Sequence, residues 1–274
     1  MKENPNVIQS SQNKQFKRFK SLSQKKYREK EGLYLLEGLR YVETAVNNGK
    51  AIEALIIGAS LWETMKSTEQ AKTFLELCPV YILPESLFEE LVQTEQSQGI
   101  AGVYKIPNQD DLETLLSEYP NQTILWLDRL QDPGNLGTII RTADAVGVDT
   151  ILLSQGTVDP YNPKSVRSTA GSILNVSLIN VEDAHATCAC LKKYGYRIIA
   201  TALEGAVDYS VESAYGAKNC LIIGNEANGI SNELLLASDS KVKIPIVGGA
   251  ESLNASVAAG IMLYKLHEYR HKKP

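Results

Sequence analysis

Three short polar stretches carry the residue types best suited to chemistry. The first, Asp132-Pro133-Gly134-Asn135-Leu136-Gly137-Thr138-Ile139-Ile140-Arg141, sets an amide and a guanidinium six residues apart. The second, Ile223-Gly224-Asn225-Glu226-Ala227-Asn228-Gly229-Ile230, holds one carboxylate among Gly and Asn. The third runs from Ile244-Pro245-Ile246 to Glu251-Ser252-Leu253-Asn254-Ala255-Ser256. A strand that ends on a Gly-rich turn and opens a helix leaves backbone N–H groups free, which suits an anion such as a phosphate. The usual nucleotide signatures are missing: no Gly-x-Gly-x-x-Gly follows the first strand of this region, and there is no Gly-Lys-Ser/Thr loop. A Gly-x-Ser-x-Gly elbow is also absent, and His185, His267 and His271 lie away from the turns. Asp132 and Glu226 are too few carboxylates for a hard-metal cage, so no metal is expected. The chemistry therefore falls to Arg, Asn, Ser, Glu and backbone amides.

The elements around these turns alternate regularly from Gln122 onward. Strands are expected at 123–128, 149–153, 173–179, 197–202, 219–224 and 242–246. Helical patterns lie between and after them at 135–146, 163–170, 182–194, 231–237 and 252–270. Apolar, β-branched strands alternating with helices predict an α/β fold with a parallel sheet covered on both faces. Each polar turn then sits at the carboxyl end of a strand, where open parallel sheets bind ligands. Any one such turn reads as structural; three at consistent strand ends point to a site. Residues 1–106 read as a separate small α/β domain, with strands at 32–36, 52–58, 80–83 and 100–104 and helices ending near Asn48-Gly49, Leu77 and Val92. Residues 107–121 form a linker that includes a bridging helix over 111–119, and residues 122–274 form the second domain.

At 43% hydrophobic and 22% charged residues the composition is that of an ordinary globular protein. No apolar run is long enough to span a bilayer, and the polar N-terminus lacks a signal-peptide core, so a cytoplasmic location is expected. Cys78, Cys188, Cys190 and Cys220 have neither zinc-site spacing nor a disulfide framework. The net charge of −4 conceals an asymmetry: residues 1–30 carry nine Lys/Arg against two Glu, or +7, and the remainder carries −11. The basic cluster Lys14, Lys17, Arg18, Lys20, Lys25, Lys26, Arg28 and Lys30 interleaves with Phe16, Phe19 and Tyr27. That pattern suits nucleic-acid phosphates and stacked bases, with a solvated amphipathic helix as the plain alternative.

The three turns, in order and at their separations, resemble the three motifs of the SpoU/TrmH family, RNA ribose 2′-O-methyltransferases of the SPOUT superfamily. Lys164-Ser165-Val166-Arg167-Ser168-Thr169-Ala170-Gly171 fits between the first two motifs. Tyr34-Leu35-Leu36-Glu37-Gly38 and Ser97-Gln98-Gly99-Ile100-Ala101 resemble the family's N-terminal substrate-binding domain; Tyr34 replaces a usual Phe and Ala255 a usual Val. The resemblance implies S-adenosylmethionine-dependent 2′-O-methylation of a ribose in structured RNA. Ribosomal RNA is favoured by the separate N-terminal domain, transfer RNA is the runner-up, and a non-catalytic RNA-binding member is the alternative from another class. It further implies a deep trefoil knot in the second domain and a homodimer formed through that domain. Arg141 matches the catalytic arginine, either as general base or as a cation that stabilises the developing alkoxide. Asn135, Glu226, Ser252 and Asn254 match the polar residues around it, although Ser252 and Asn254 also suit the start of the last helix. Thr201, Gly224, Asn225, Ile244 and Leu253 match the cofactor-contacting positions. Gly224 would let the backbone approach the ligand closely, and Ile230, Ile244 and Leu253 would wall the adenine.

Overall fold

The computed structural model describes residues 4–92, 97–108, 111–118 and 123–272, the last without the Lys272 side chain. The chain divides into two compact units, Met1–Pro107 with Tyr161–Arg167, and Asn108–Pro160 with Ser168–Pro274. Tyr161–Arg167, which the sequence pattern puts in the second domain, groups with the first unit; the Tyr161 ring lies 4.9 Å from that of Tyr34.

The first unit contains β1 (Asn6–Val7), α1 (Lys14–Ser21), α2 (Lys25–Glu31), β2 (Leu33–Glu37), α3 (Leu39–Asn47) and β3 (Ile52–Gly58). It continues with α4 (Ala59–Met65), α5 (Glu69–Leu77), β4 (Val80–Leu83), α6 (Glu85–Val92) and β5 (Ile100–Lys105). Its sheet has the order β1-β4-β3-β5-β2. Period-2 alternation buries both faces: Leu55 and Ile57 join Val42 and Phe74, whereas Ala54 and Ile56 join Phe16, Phe19 and Phe88. This placement corrects the reading of the basic stretch. Phe16 and Phe19, each 1% exposed, are core residues and cannot stack on bases. Arg28 is 2% exposed and donates to the Leu22 and Ser23 carbonyls, so it ties the α1–α2 turn and leaves the RNA-facing set. Arg18 is paired with Glu31 at 3.0 Å and Lys20 with Glu90; Lys14, Lys17, Lys25 and Lys26 stay exposed.

The second unit contains α7 (Leu112–Glu118), β6 (Ile124–Leu127), α8 (Pro133–Ala145), β7 (Thr150–Ser154), β8 (Ser177–Val181), α10 (Ala184–Lys193), β9 (Tyr196–Thr201) and β10 (Val207–Asp208). It ends with β11 (Lys218–Ile223), α11 (Asn232–Ala237), β12 (Ser240–Lys243) and α12 (Ala255–Lys272); a short α9 (Pro163–Ser168) straddles the division. All seven strands are parallel, in the order β10-β12-β9-β11-β6-β7-β8. Leu125, Leu127, Leu221 and Ile223 pack under α8 and α12, and Ile124, Trp126, Cys220 and Ile222 pack toward α10 and α11. Because the strands are parallel, the carboxyl ends of β6, β11 and β12 share one edge of the sheet.

Several boundaries differ from the sequence reading for local reasons. Residues 173–179 are not a continuous strand. Ala170 (φ 50°) and Gly171 (φ 93°) turn the chain into a 3₁₀ turn, Ser172–Leu174, before β8 begins. The strand expected to reach Ile246 stops at Lys243, since Pro245 lacks an N–H and restricts Ile244. Pro133 and Gly134, which precede the helix expected over 135–146, are the first turn of α8, where proline is well tolerated. Tyr119, expected to end the bridging helix, lies outside the described residues.

Candidate active site

One carboxylate gathers the first two turns. Glu226 Oε2 accepts from the Gln131 amide at 3.0 Å, and Oε1 accepts from the Asp132 amide and from Asn135 Nδ2, both at 3.1 Å. Asp132 in turn caps α8, its Oδ1 accepting from the Asn135 amide at 2.7 Å. The Gln131, Asp132 and Asn135 amides, donors that seemed available for a phosphate at this helix start, are therefore taken by the protein's own carboxylates. Burial pushes the Glu226 carboxyl up, but hydrogen bonds from Asn135, Gln131 and Asp132 outweigh it and hold the group below its ordinary range.

Asn135 passes the connection to the third turn, because its Oδ1 accepts from Asn254 Nδ2 at 3.0 Å. Asn254 Oδ1 accepts from the Ser256 amide at 2.9 Å and thereby caps α12. Glu226, Asn135 and Asn254 form one chain across all three turns. Ser252 is exposed and lies outside that chain, and the cap considered for it belongs to Asn254. Arg141 is exposed on α8, its side chain making no hydrogen bond or ion pair among the described residues. The structure thus joins three of the five expected polar residues and leaves the guanidinium open.

The expected cofactor positions divide by what they have left to offer. Asn225 is spent on its own loop: Oδ1 accepts from the Ala227 and Asn228 amides, and Nδ2 donates to the Arg129 carbonyl at 2.8 Å. Thr201 donates its hydroxyl to the Ile222 carbonyl at 2.9 Å. Gly224 is required by close backbone packing, since a Cβ there would lie 2.4 Å from the Gly229 carbonyl carbon and the Ile230 nitrogen. The main-chain polar groups of Gly224, Ile244 and Leu253 carry no hydrogen bond among the described residues. Ile230 is buried, Ile244 half-buried, and Leu253 is 37% exposed. Among the described residues no group of three or more His, Cys, Asp or Glu side chains is placed to hold a metal ion. Sequence reasoning missed Asp128, Arg129 and Gln131, although a polar pair ending the apolar run of β6 was visible.

Residues 122–264 match the SpoU rRNA Methylase family, and residues 13–102 match the MRM3-like substrate binding domain. The chain belongs to the SpoU rRNA methylase family. It is 35% identical over 260 residues to the 23S rRNA (guanosine(2553)-2′-O)-methyltransferase RlmP of Bacillus subtilis, covering 94% of this chain and 98% of that one. It is also similar to the AdoMet-bound rRNA methyltransferase of Sinorhizobium meliloti, with a TM-score of 0.85, 31% identity and coverage of 98% and 99%. The AdoMet complex of the SpoU methyltransferase AviRb from Streptomyces viridochromogenes gives a TM-score of 0.82, 27% identity and coverage of 96% and 100%.

The loops of this SpoU methylase fit S-adenosylmethionine. Free main-chain groups at Gly224, Ile244 and Leu253 can bond a purine edge, beside apolar side chains that suit a flat ring. The Glu226 hub carries its own check. Glu226→Gln turns one accepting oxygen into an NH₂ that faces an N–H donor, so the variant melts lower than wild type at pH 7. The native carboxyl titrates below its ordinary value, so its contribution is present above about pH 4.3. It fades as pH falls through the lowered native value. Thermal unfolding at pH 7 and pH 3.5 should show the gap closing in acid; a pH-independent gap contradicts the account.

Proposed function

We propose that the chain transfers a methyl group from S-adenosylmethionine to a ribose 2′-hydroxyl in ribosomal RNA, with Arg141 at the reacting centre. The observation that carries this reading is the exposed, unpartnered Arg141 on α8, the helix whose first turn is locked by Glu226, Asn135 and Asn254. Family membership fixes the class of reaction, and the Bacillus subtilis relative acts on 23S rRNA. The cofactor supplies a methyl already activated on a sulfonium. The ribose oxygen attacks that carbon in line as the S–C bond breaks, and the hydroxyl proton leaves to solvent. A guanidinium stays protonated under ordinary conditions, so Arg141 acts as a cation. It draws the RNA phosphate to the site and stabilises negative charge as it grows on the 2′-oxygen. Asn135 and Asn254 hold the start of α8 in place while the loops at Gly224, Ile244 and Leu253 seat the cofactor.

Lys14, Lys17, Lys25 and Lys26 supply the cationic surface of the substrate-binding unit. Family resemblance supports a trefoil knot in the second unit and a cytoplasmic location, where ribosomal RNA is found. A homodimer is supported by α12, where Val257 is 50% and Tyr264 56% exposed, with Leu253 just ahead. The spacing of seven puts Val257 and Tyr264 on one helical face.

Arg141→Ala is expected to abolish tritium transfer from methyl-labelled cofactor to ribosomal RNA while changing cofactor affinity less than about threefold. Retained turnover would refute the role, and preferential labelling of transfer RNA would move the substrate to that class. In the same assay, reversing Lys14 and Lys17 to Glu should weaken RNA binding and flatten its salt dependence. Sedimentation should find a dimer that Val257→Glu/Tyr264→Glu converts to monomer; an unchanged mass would exclude this face.

A further inference from the structure

The second motif loop, residues 224–230, carries Glu226 and is held near both ends by Arg129, three residues ahead of the first motif. Arg129 sits at the carboxyl end of β6 with φ +56°, a left-handed conformation unusual for a side chain of this size. Its carbonyl accepts from Asn225 Nδ2 at 2.8 Å, and its Nη2 donates to the Gly229 carbonyl at 3.2 Å. Residues 225 and 229 are the two ends of the loop, paired to each other by reciprocal main-chain bonds of 3.0 and 2.9 Å. Arg129 therefore grips the loop at both ends, and Glu226 lies between the two points. Gln131 Nε2 braces the same Arg129 carbonyl at 3.2 Å while also donating to Gly156.

The guanidinium is itself aimed by Asp128. That carboxylate is 3% exposed and accepts from Arg129 Nε at 3.2 Å and from Nη2 at 3.0 Å. It also accepts from the Ser231 amide at 2.7 Å, just past the loop. A bidentate pair of this kind fixes orientation as well as charge.

We propose that Arg129, aimed by Asp128, is a positioning residue for methyl transfer. It sets the loop so that Glu226 meets the Gln131 and Asp132 amides and Asn135, and through Asn135 it sets Asn254 and the start of α8. The inference deepens the methyltransferase reading and rests on it for its kinetic part. Its effect reaches the reaction through other residues, and a misplacement of about 1 Å at such a distance lowers a rate by roughly 100-fold.

Position 129 permits a clean separation of this role from mere support. Arg129→Gly keeps the left-handed backbone and the carbonyl and removes the guanidinium. Alone it strands a buried carboxylate, which is destabilising. Asp128→Asn/Arg129→Gly removes both charges and leaves the Asn side-chain oxygen for Ser231. The double variant is expected to melt close to wild type, yet its amides over 131–135 and 225–229 should exchange roughly five- to tenfold faster, the worth of about one hydrogen bond. Single-turnover methyl transfer to ribosomal RNA should fall about 10- to 100-fold, with cofactor affinity nearly unchanged. A double variant with wild-type exchange and wild-type rate would mean that Arg129 only neutralises Asp128. Fast exchange with an unchanged rate would equally overturn the proposal. If the wild-type chain transfers no methyl, the methyltransferase reading fails, and the exchange comparison still decides whether Arg129 fixes the loop.

Discussion

A single ionised carboxylate holds the first two polar turns together. Glu226 offers two oxygens, and three donors from the first motif converge on them: the Gln131 and Asp132 amides and Asn135 Nδ2. Charge-assisted hydrogen bonds of this kind are stronger than neutral ones, and these link stretches far apart in the chain. The helix start looked like an anion-binding site, and it is one, but the anions are the protein's own. Filling it internally fixes the start of α8, the helix that carries the exposed Arg141. Had the N–H groups been left open, a phosphate would have had to order this turn each time it bound.

The division of labour follows from which groups remain free. Asn225, Asn135, Asn254 and Thr201 are committed to internal bonds, so their contribution is shape. Among the expected site residues, main-chain groups at Gly224, Ile244 and Leu253 and the guanidinium of Arg141 stay unbonded to other described residues. One set suits a purine, the other an RNA anion. The parallel sheet makes this arrangement possible, because β6, β11 and β12 deliver their loops to one edge, each between faces dry enough to hold the strand ends still.

Much of this was legible in the sequence, and the limits have physical causes. Apolar runs marked β3, β4 and β6 to within a residue, since strands buried on both faces leave continuous hydrophobic signals. The edge strand β10, two residues long, carries no such signal. Hydropathy could not distinguish a strand from a 3₁₀ turn at 172–174, because both bury Ile173 and Leu174. In the basic stretch, charge was read correctly but direction was not. Phe16 and Phe19 recur at the spacing of an inward helical face, and Arg28 was spent on carbonyls that only the fold brings near it. The motifs named Glu226, Asn135 and Asn254, which the structure joins, without revealing that Arg141 stands apart from their chain. Arg129 was visible only as part of a polar pair after β6; its left-handed backbone and grip on Gly229 exist only in three dimensions.

The central claim is that Glu226 acts through Asn135 as one unit, and a double-mutant cycle on the single-turnover rate of methyl transfer tests it most directly. Glu226→Ala and Asn135→Ala should each slow the reaction, and the double variant should be no more than about twofold slower than the slower single variant, as for residues that act together. If the two losses multiply, the carboxylate and the amide serve the reaction independently, and the account of a shared hub is wrong.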